Sequence, residues 1–196
     1  MNEEGVIKFK AEWIQHPPLH HNLMDELNIT RQRLYKLGLI GCNEDGIGYG
    51  NISTRFKKNS FIISGSGTGC VENTNINHYT LVKEFDFKTN SLLCEGPVIA
   101  SSESLTHAMV YQCLANINSV IHIHHKELWK KLMHLLPHTS KKVEYGTPEM
   151  AMEIQALLKE TEICNHHIFA MGGHEDGVIA FGNIAAAAEK TILSYM

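Results

Sequence analysis

The short apolar run Ile121-His122-Ile123-His124 carries two histidines at a spacing that metal chemistry can use. Side chains alternate in a strand, so His122 and His124 project from one face, close together. Two neutral imidazoles on one face can share a metal ion, and zinc is a borderline metal that favours such nitrogen donors. The plainer reading is a pair of polar residues on the wet face of an edge strand. His125 points the other way in a regular strand and reads as a supporting or surface residue.

A third ligand is needed. His174 is one candidate, in Met171-Gly172-Gly173-His174-Glu175-Asp176-Gly177 between two apolar strand candidates. Glycines beside it allow close approach to a neighbouring strand. His166 and His167 are rivals, but they precede the strand and read as exposed loop. Glu103 follows Ser101-Ser102 at the start of a helix, and residues four apart share a helix face, which aligns Glu103, His107 and Tyr111. Beside a metal, the Glu103 carboxylate would be a ligand or a proton shuttle. Otherwise it is an acid favoured by the helix dipole. His107 and Tyr111 read as partly buried packing.

Three small-residue segments, Gly50-Asn51, Ser66-Gly67 and Ser101-Ser102, are candidates for an anion site. Backbone N–H groups in glycine turns and at a helix start bind phosphate without lysine. Turn chemistry alone accounts for each segment taken singly. The string Gly65-Ser66-Gly67-Thr68-Gly69 is no P-loop, since no Lys-Ser or Lys-Thr closes it, and it lacks the GxGxxG spacing.

The elements that must position these residues mix both classes. Residues 1–20 read as an N-terminal extension with one strand over Gly5–Ile14, stopped at His16-Pro17-Pro18. Residues 21–196 read as one domain. Its helices are expected over Asn22–Leu39, Glu103–Leu114, Lys126–Leu135, Pro148–Lys159 and Asn183–Ser194. Strands are expected over Asn51–Phe56, Ser60–Ser64, Leu81–Phe87, Ser91–Cys94, Ser119–His124, Ile168–Met171 and Val178–Phe181. Strands lead in the first half and the two classes mix in the second, which argues an α/β domain with a largely antiparallel or mixed sheet.

Composition narrows the function. The chain has 196 residues, 43% hydrophobic and 19% charged, with a net charge of −4. That is a globular composition without the basic surplus of a general nucleic-acid binder. No apolar run approaches the roughly 18–20 residues of a membrane helix, and the acidic start Met1-Asn2-Glu3-Glu4 is unlike a signal peptide, so the expected location is cytoplasmic. The five cysteines are widely spaced with no CxxC pair, which argues against a disulfide framework and against a thiolate zinc site.

In their order, these segments resemble the class II aldolase/adducin family, the group of fuculose-phosphate aldolase and ribulose-phosphate 4-epimerase. The matching pieces are Gly50-Asn51-Ile52-Ser53-Thr54-Arg55, Phe61-Ile62-Ile63-Ser64 with Ser66-Gly67, Ser101-Ser102-Glu103 with His107 and Tyr111-Gln112, Val120-Ile121-His122-Ile123-His124, and His174 with Gly177. The resemblance implies a three-layer α/β/α fold and a divalent metal, usually zinc, held by His122, His124 and His174. It implies Glu103 as catalytic acid/base, and Gly50, Asn51, Ser66, Gly67, Ser101 and Ser102 as the phosphate site. The implied activity is an aldolase-type lyase on a small phosphorylated hydroxy-carbonyl compound, working through a metal-stabilised enediolate, in a homotetramer. A dehydratase, epimerase or decarboxylase on the same site is an alternative, as is a non-catalytic adducin-like module. Three features depart from the family pattern. Gly48 replaces a hydroxyl residue, Glu175-Asp176 separates His174 from Gly177, and the segment from His125 to Tyr145 is short, with no counterpart of the tyrosine that reaches a neighbouring subunit in the aldolases. The extension with His16, His20 and His21 also lies outside that pattern.

Overall fold

The chain's β-branched and aromatic runs assemble into one large sheet in a computed structural model that describes residues 5–159 and 161–196, with the backbone alone at Thr161. In chain order the elements are β1 (Lys10–Gln15), α1 (Leu23–Lys36), β2 (Gly41–Cys42), β3 (Gly48–Tyr49), β4 (Asn51–Lys57), β5 (Ser60–Ser64), β6 (Tyr79–Asp86), β7 (Ser91–Gly96), α2 (Ser104–Cys113), β8 (Ser119–His124), α3 (Lys126–Leu135), α4 (Pro148–Leu157), α5 (Thr161–His166), β9 (Ile168–Ala170), β10 (Gly177–Gly182) and α6 (Ala185–Tyr195). The sheet order is β1-β7-β6-β5-β4-β8-β10-β9, and β2 and β3 form a separate small hairpin. Among the described residues, only β1 and β7 run parallel; every other neighbouring pair in this sheet is antiparallel.

Strand β10 is buried at every residue, and β8 at all but His124. A strand buried on both faces requires cover on both. Helices α1 and α6 pack on one another and against β4, β8 and β10, while α2 packs with α4 and α3 lies against β9 and β10. The result is a three-layer α/β/α architecture around a mixed, largely antiparallel sheet. Local signals start the helices near the site. The Thr147 hydroxyl accepts from the Met150 N–H, with Pro148 in the first turn, and His125 Nδ1 accepts from the Leu128 N–H. His125 is thus the cap of α3.

Several expectations need correction. The first strand spans Lys10–Gln15 rather than Gly5–Ile14, and it joins the sheet edge beside β7. Met1–Glu4 of the expected extension lie outside the described residues. His166 ends α5 instead of lying in a loop. Cys42 and Cys70 are disulfide-bonded, Cα atoms 4.5 Å apart. Spacing along the chain did not reveal this pair, because tertiary packing of β2 and β3 on the Thr68–Cys70 turn creates it. Cys94, Cys113 and Cys164 are free thiols.

Candidate metal centre and active site

The candidate residues gather at one end of the sheet, where β4, β6 and β10 begin and β5, β7, β8 and β9 end. Antiparallel register explains the gathering. Asn51 pairs with His122 across β4 and β8, and Gly177 with His124 across β8 and β10. His174 lies in the turn between β9 and β10, where its N–H donates to the Met171 carbonyl. Gly177 must lack a side chain, since a Cβ there would lie 2.3 Å from His174 Cδ2. His167, the rival ligand, precedes β9 and so sits at the far end of that strand, roughly 10 Å away by strand rise.

Three imidazoles converge. One nitrogen from each of His122, His124 and His174 lies within 4.8 Å of the others. His124 Nε2 and His174 Nε2 are 3.0 Å apart. Tetrahedral zinc with Zn–N near 2.0–2.1 Å holds its nitrogens ~3.4 Å apart, so the spacing fits one shared ion. The donor chemistry fits as well. Burial holds His124 down at about 4. Burial and the neighbouring imidazoles hold His122 well below the usual histidine range, and burial, His124 and Lys8 do the same for His174. All three are therefore neutral at ordinary pH, which ligation requires. His122 Nε2 is buried without a hydrogen-bond partner among the described residues, an orphaned acceptor of the kind a cation satisfies.

The other nitrogen of His122, Nδ1, lies 3.3 Å from the Asn51 side-chain amide. With the Asn51 amide turned so that its oxygen faces the Nδ1–H, Nε2 keeps its lone pair for a metal. Asn51 thus orients a candidate ligand, a role beyond the one its glycine-flanked position suggested.

Glu103 occupies the N-cap position of α2 and is 1% exposed, so its carboxylate is buried at the helix start. Its placement follows from the helix it begins. His107 Nδ1 and the Tyr111 hydroxyl each lie 2.7 Å from Ser53 Oγ. The Arg55 guanidinium donates to the Tyr111 carbonyl, so the C-terminal turn of α2 lies over the Arg55 end of β4. Four residues of helix rise ~6 Å and two of strand ~6.6 Å, so the start of α2 lies towards Asn51 and His122. His107 and Tyr111 are the buried packing residues expected. They also form a hydrogen-bonded chain with Ser53, and burial pushes His107 down to about 3.

The three small-residue segments meet at this end. The Ser66 N–H donates to the Ile99 carbonyl, and Gly65 bridges Ala100, which fastens the Ser66-Gly67 turn beside Ser101-Ser102. The Ser66 N–H is therefore committed, and Ser66 can offer a ligand its hydroxyl only. Gly67 is exposed with φ +73°; Ser101 and Ser102 are each 6% exposed. The departure at Gly48 has a steric cause, since a Cβ there would meet Gly69 Cα and N at 3.1 Å.

Residues that the sequence did not single out also reach the site. Tyr145 is 5% exposed and packs on His174, and the Lys8 ammonium lies 4.4 Å from the Tyr145 ring centroid. No local motif marks either residue. A cleft of about 500 Å³, lined by residues that include Asn43, Tyr49, His125, Lys126 and Glu175, reaches one member of the triad, His124, from solvent. In another cleft, of about 450 Å³, the Arg55 and Lys83 side chains are already engaged. Arg55 bonds four carbonyls, and Lys83 pairs with Glu95.

The fold is shared with solved structures. An L-fuculose 1-phosphate aldolase superposes with a TM-score of 0.66 at 18% identity, covering 90% of this chain and 82% of that one. The L-fuculose-1-phosphate aldolase of Thermus thermophilus gives 0.63 at 20% identity, covering 88% and 89%. YgbL of Klebsiella pneumoniae, for which aldolase, epimerase or decarboxylase activity is proposed, gives 0.63 at 14% identity, covering 88% and 87%. No curated protein matches the sequence. The sequence profile of the class II aldolase and adducin N-terminal domain matches residues 32–194, a span that holds every candidate ligand and Glu103, and the chain belongs to that family.

Proposed function

We propose that this protein is a metal-dependent lyase of the aldolase type that acts on a small phosphorylated hydroxy-carbonyl compound. The observation that carries the reading is the convergence of three neutral imidazoles, two buried and the third, His124, half-buried and lining a cleft. In it, His122, His124 and His174 hold one divalent ion, taken to be zinc, and Glu103 moves the proton. Gly50, Asn51, Ser66, Gly67, Ser101 and Ser102 receive the phosphate. When bound, the metal supplies Lewis-acid polarisation of the substrate carbonyl. Glu103, out of water and at the start of α2, accepts and returns a proton without competition from solvent. The serine hydroxyls and the Gly67 N–H orient the phosphate, which fixes the reacting carbons relative to Glu103.

The complete triad favours an enzyme over a non-catalytic adducin-like module. Cytoplasmic location remains part of the proposal; no helix among the described residues is long and apolar enough to cross a membrane. A homotetramer is proposed too, since exposed Ile29 and Leu37 around α1 and Leu193 on α6 offer apolar contact area.

Metal analysis joined to a screen of sugar phosphates tests the reading. The expected result is about one divalent ion per chain, cleavage of at least one sugar phosphate, and loss of both in His122→Ala. Stoichiometric metal in that variant would remove the triad assignment. Conversion of the sugar phosphate to an epimer or a dehydrated product, without cleavage, would move the protein to a different reaction on the same site.

A further inference from the structure

Arg31 lies on α1 and is 1% exposed. Its guanidinium donates to the Thr68 and Gly69 carbonyls at 2.9 Å and to the Glu72 carbonyl at 3.0 Å. The Tyr35 ring lies against it, 4.9 Å from the guanidinium carbon. Among the described residues, no carboxylate forms an ion pair with it. Burial lowers its proton affinity, and the electrostatic influences that oppose this come from Tyr79 and Tyr35 alone. A buried arginine remains charged, and a buried cation ordinarily takes a carboxylate partner because desolvation is costly. Here the carbonyl dipoles of the Thr68–Cys70 turn, with that of Glu72 just after it, take that place.

That turn, Thr68–Cys70, follows directly on Ser66-Gly67. The residues assigned to the phosphate, Gly50, Asn51, Ser66, Gly67, Ser101 and Ser102, are all uncharged. A phosphate ester brings a charge of about −1.5 to −2. The missing positive charge lies behind the turn. Thr68, whose carbonyl Arg31 grips, is the next residue after Gly67, so an anion on Gly67 sits within roughly 10 Å of the guanidinium. The intervening space is protein, where screening by salt is weak.

We propose that Arg31 is a positioning residue for an anionic substrate group. It holds the Thr68–Cys70 turn by two of its carbonyls and the chain just beyond by the Glu72 carbonyl, and it supplies, from inside the fold, the positive charge that the anion-binding turn lacks. The inference rests on the phosphate reading of the Ser66-Gly67 segment. It adds that the site favours dianionic over neutral substrates through a residue that never touches them.

The test separates charge from shape, with inorganic phosphate as the probe. Arg31→Lys keeps the charge and loses the planar fork; Arg31→Gln keeps amide donors and loses the charge. Calorimetric titration of the folded proteins with phosphate is expected to give Arg31→Lys within about threefold of wild type and Arg31→Gln weaker by about tenfold or more. Equal affinity of Arg31→Gln and wild type overturns the inference, as does weakening that tracks the loss of thermal stability equally in both variants. A wild-type protein that binds no phosphate overturns the phosphate reading itself, and the role of Arg31 with it. If neither variant folds, the wild-type protein decides through its Arg31 Nε–H nuclear magnetic resonance signal. That signal is expected to shift on saturation with phosphate, and an unmoved signal overturns the inference.

Discussion

The ring of Tyr145 lies against the imidazole of His174, centroids 4.4 Å apart and planes inclined by 56°. Tyr145 closes the short segment from His125, which offers no counterpart of the tyrosine that reaches a neighbouring subunit in the aldolases, and it packs on a candidate ligand of its own chain. Asn90 secures the arrangement by donating from its side chain to the carbonyls of Lys8 and Gly146, which ties the start of the chain to the turn after Tyr145. The Tyr145 ring thus packs on the His174 imidazole, whose Nε2 meets that of His124.

Tyr145→Ala is expected to weaken metal binding by about 10–100-fold, the usual cost of losing a residue that orients a ligand. Tyr145→Phe keeps the ring and is expected to stay within about threefold of wild type. Competition with a chromogenic chelator measures both. Equal loss in the two variants would transfer the effect from the ring to the hydroxyl.

Glu103→Gln preserves size and leaves the three histidines in place. It is expected to retain metal and fold while turnover falls by about 10²–10⁴-fold. Steady-state rates on an identified substrate, set beside metal content, check this. Unchanged turnover would reduce Glu103 to a structural cap of α2.

His107 provides a test in pH. Its folded-state value is held down at about 3 by burial, against 6.5 for the free group. The native protein keeps it neutral, whereas the unfolded chain protonates it below about pH 6.5. Its contribution to stability is therefore complete above that pH and is lost as pH falls towards about 3, at about 1.4 kcal/mol per pH unit. In metal-free protein His122, His124 and His174 add slopes of the same sign. Denaturant unfolding from pH 4 to 7 should show a slope shallower by about one proton in His107→Gln. An unaltered slope would mean that His107 is already protonated in the fold.

The Cys42–Cys70 bond closes a loop with a sequence separation of 28 residues. A crosslink of that span is worth about 2–4 kcal/mol. Reduction with a dithiol is expected to lower the melting temperature by roughly 5–15 °C. Cys42→Ser should melt at the temperature of the reduced protein and show no further change with reductant. A melting temperature insensitive to dithiol in the wild type would show that the bond does not form in solution.

Much of the molecule was readable from local pattern. Alternation along Ser119–His124 set the strand and put His122 and His124 on one face, because a pleated backbone sends every second side chain the same way. Periodicity, helped at α2 by Ser101-Ser102 before the apolar run, placed the start of α2, α3 and α4 to within a residue or so. The four-residue spacing of Glu103, His107 and Tyr111 correctly aligned them along α2. These features depend on neighbours within a few residues, and short-range geometry is what a sequence carries in the open.

The rest depended on contacts between distant segments. His174 meets His124 across 50 residues because β9 and β10 fold back beside β8, and the same pairing sends His166 and His167 to the opposite end. Cys42 finds Cys70, Tyr145 finds His174, and Arg31 finds the carbonyls of Thr68 and Gly69 only after the layers have packed. The sequence by itself determined the alternating and helical faces and the residue types able to bind metal or phosphate. Tertiary structure alone decided which of those types share a site, because closing a long loop is governed by packing of the whole sheet and leaves no periodic trace in the residues it joins.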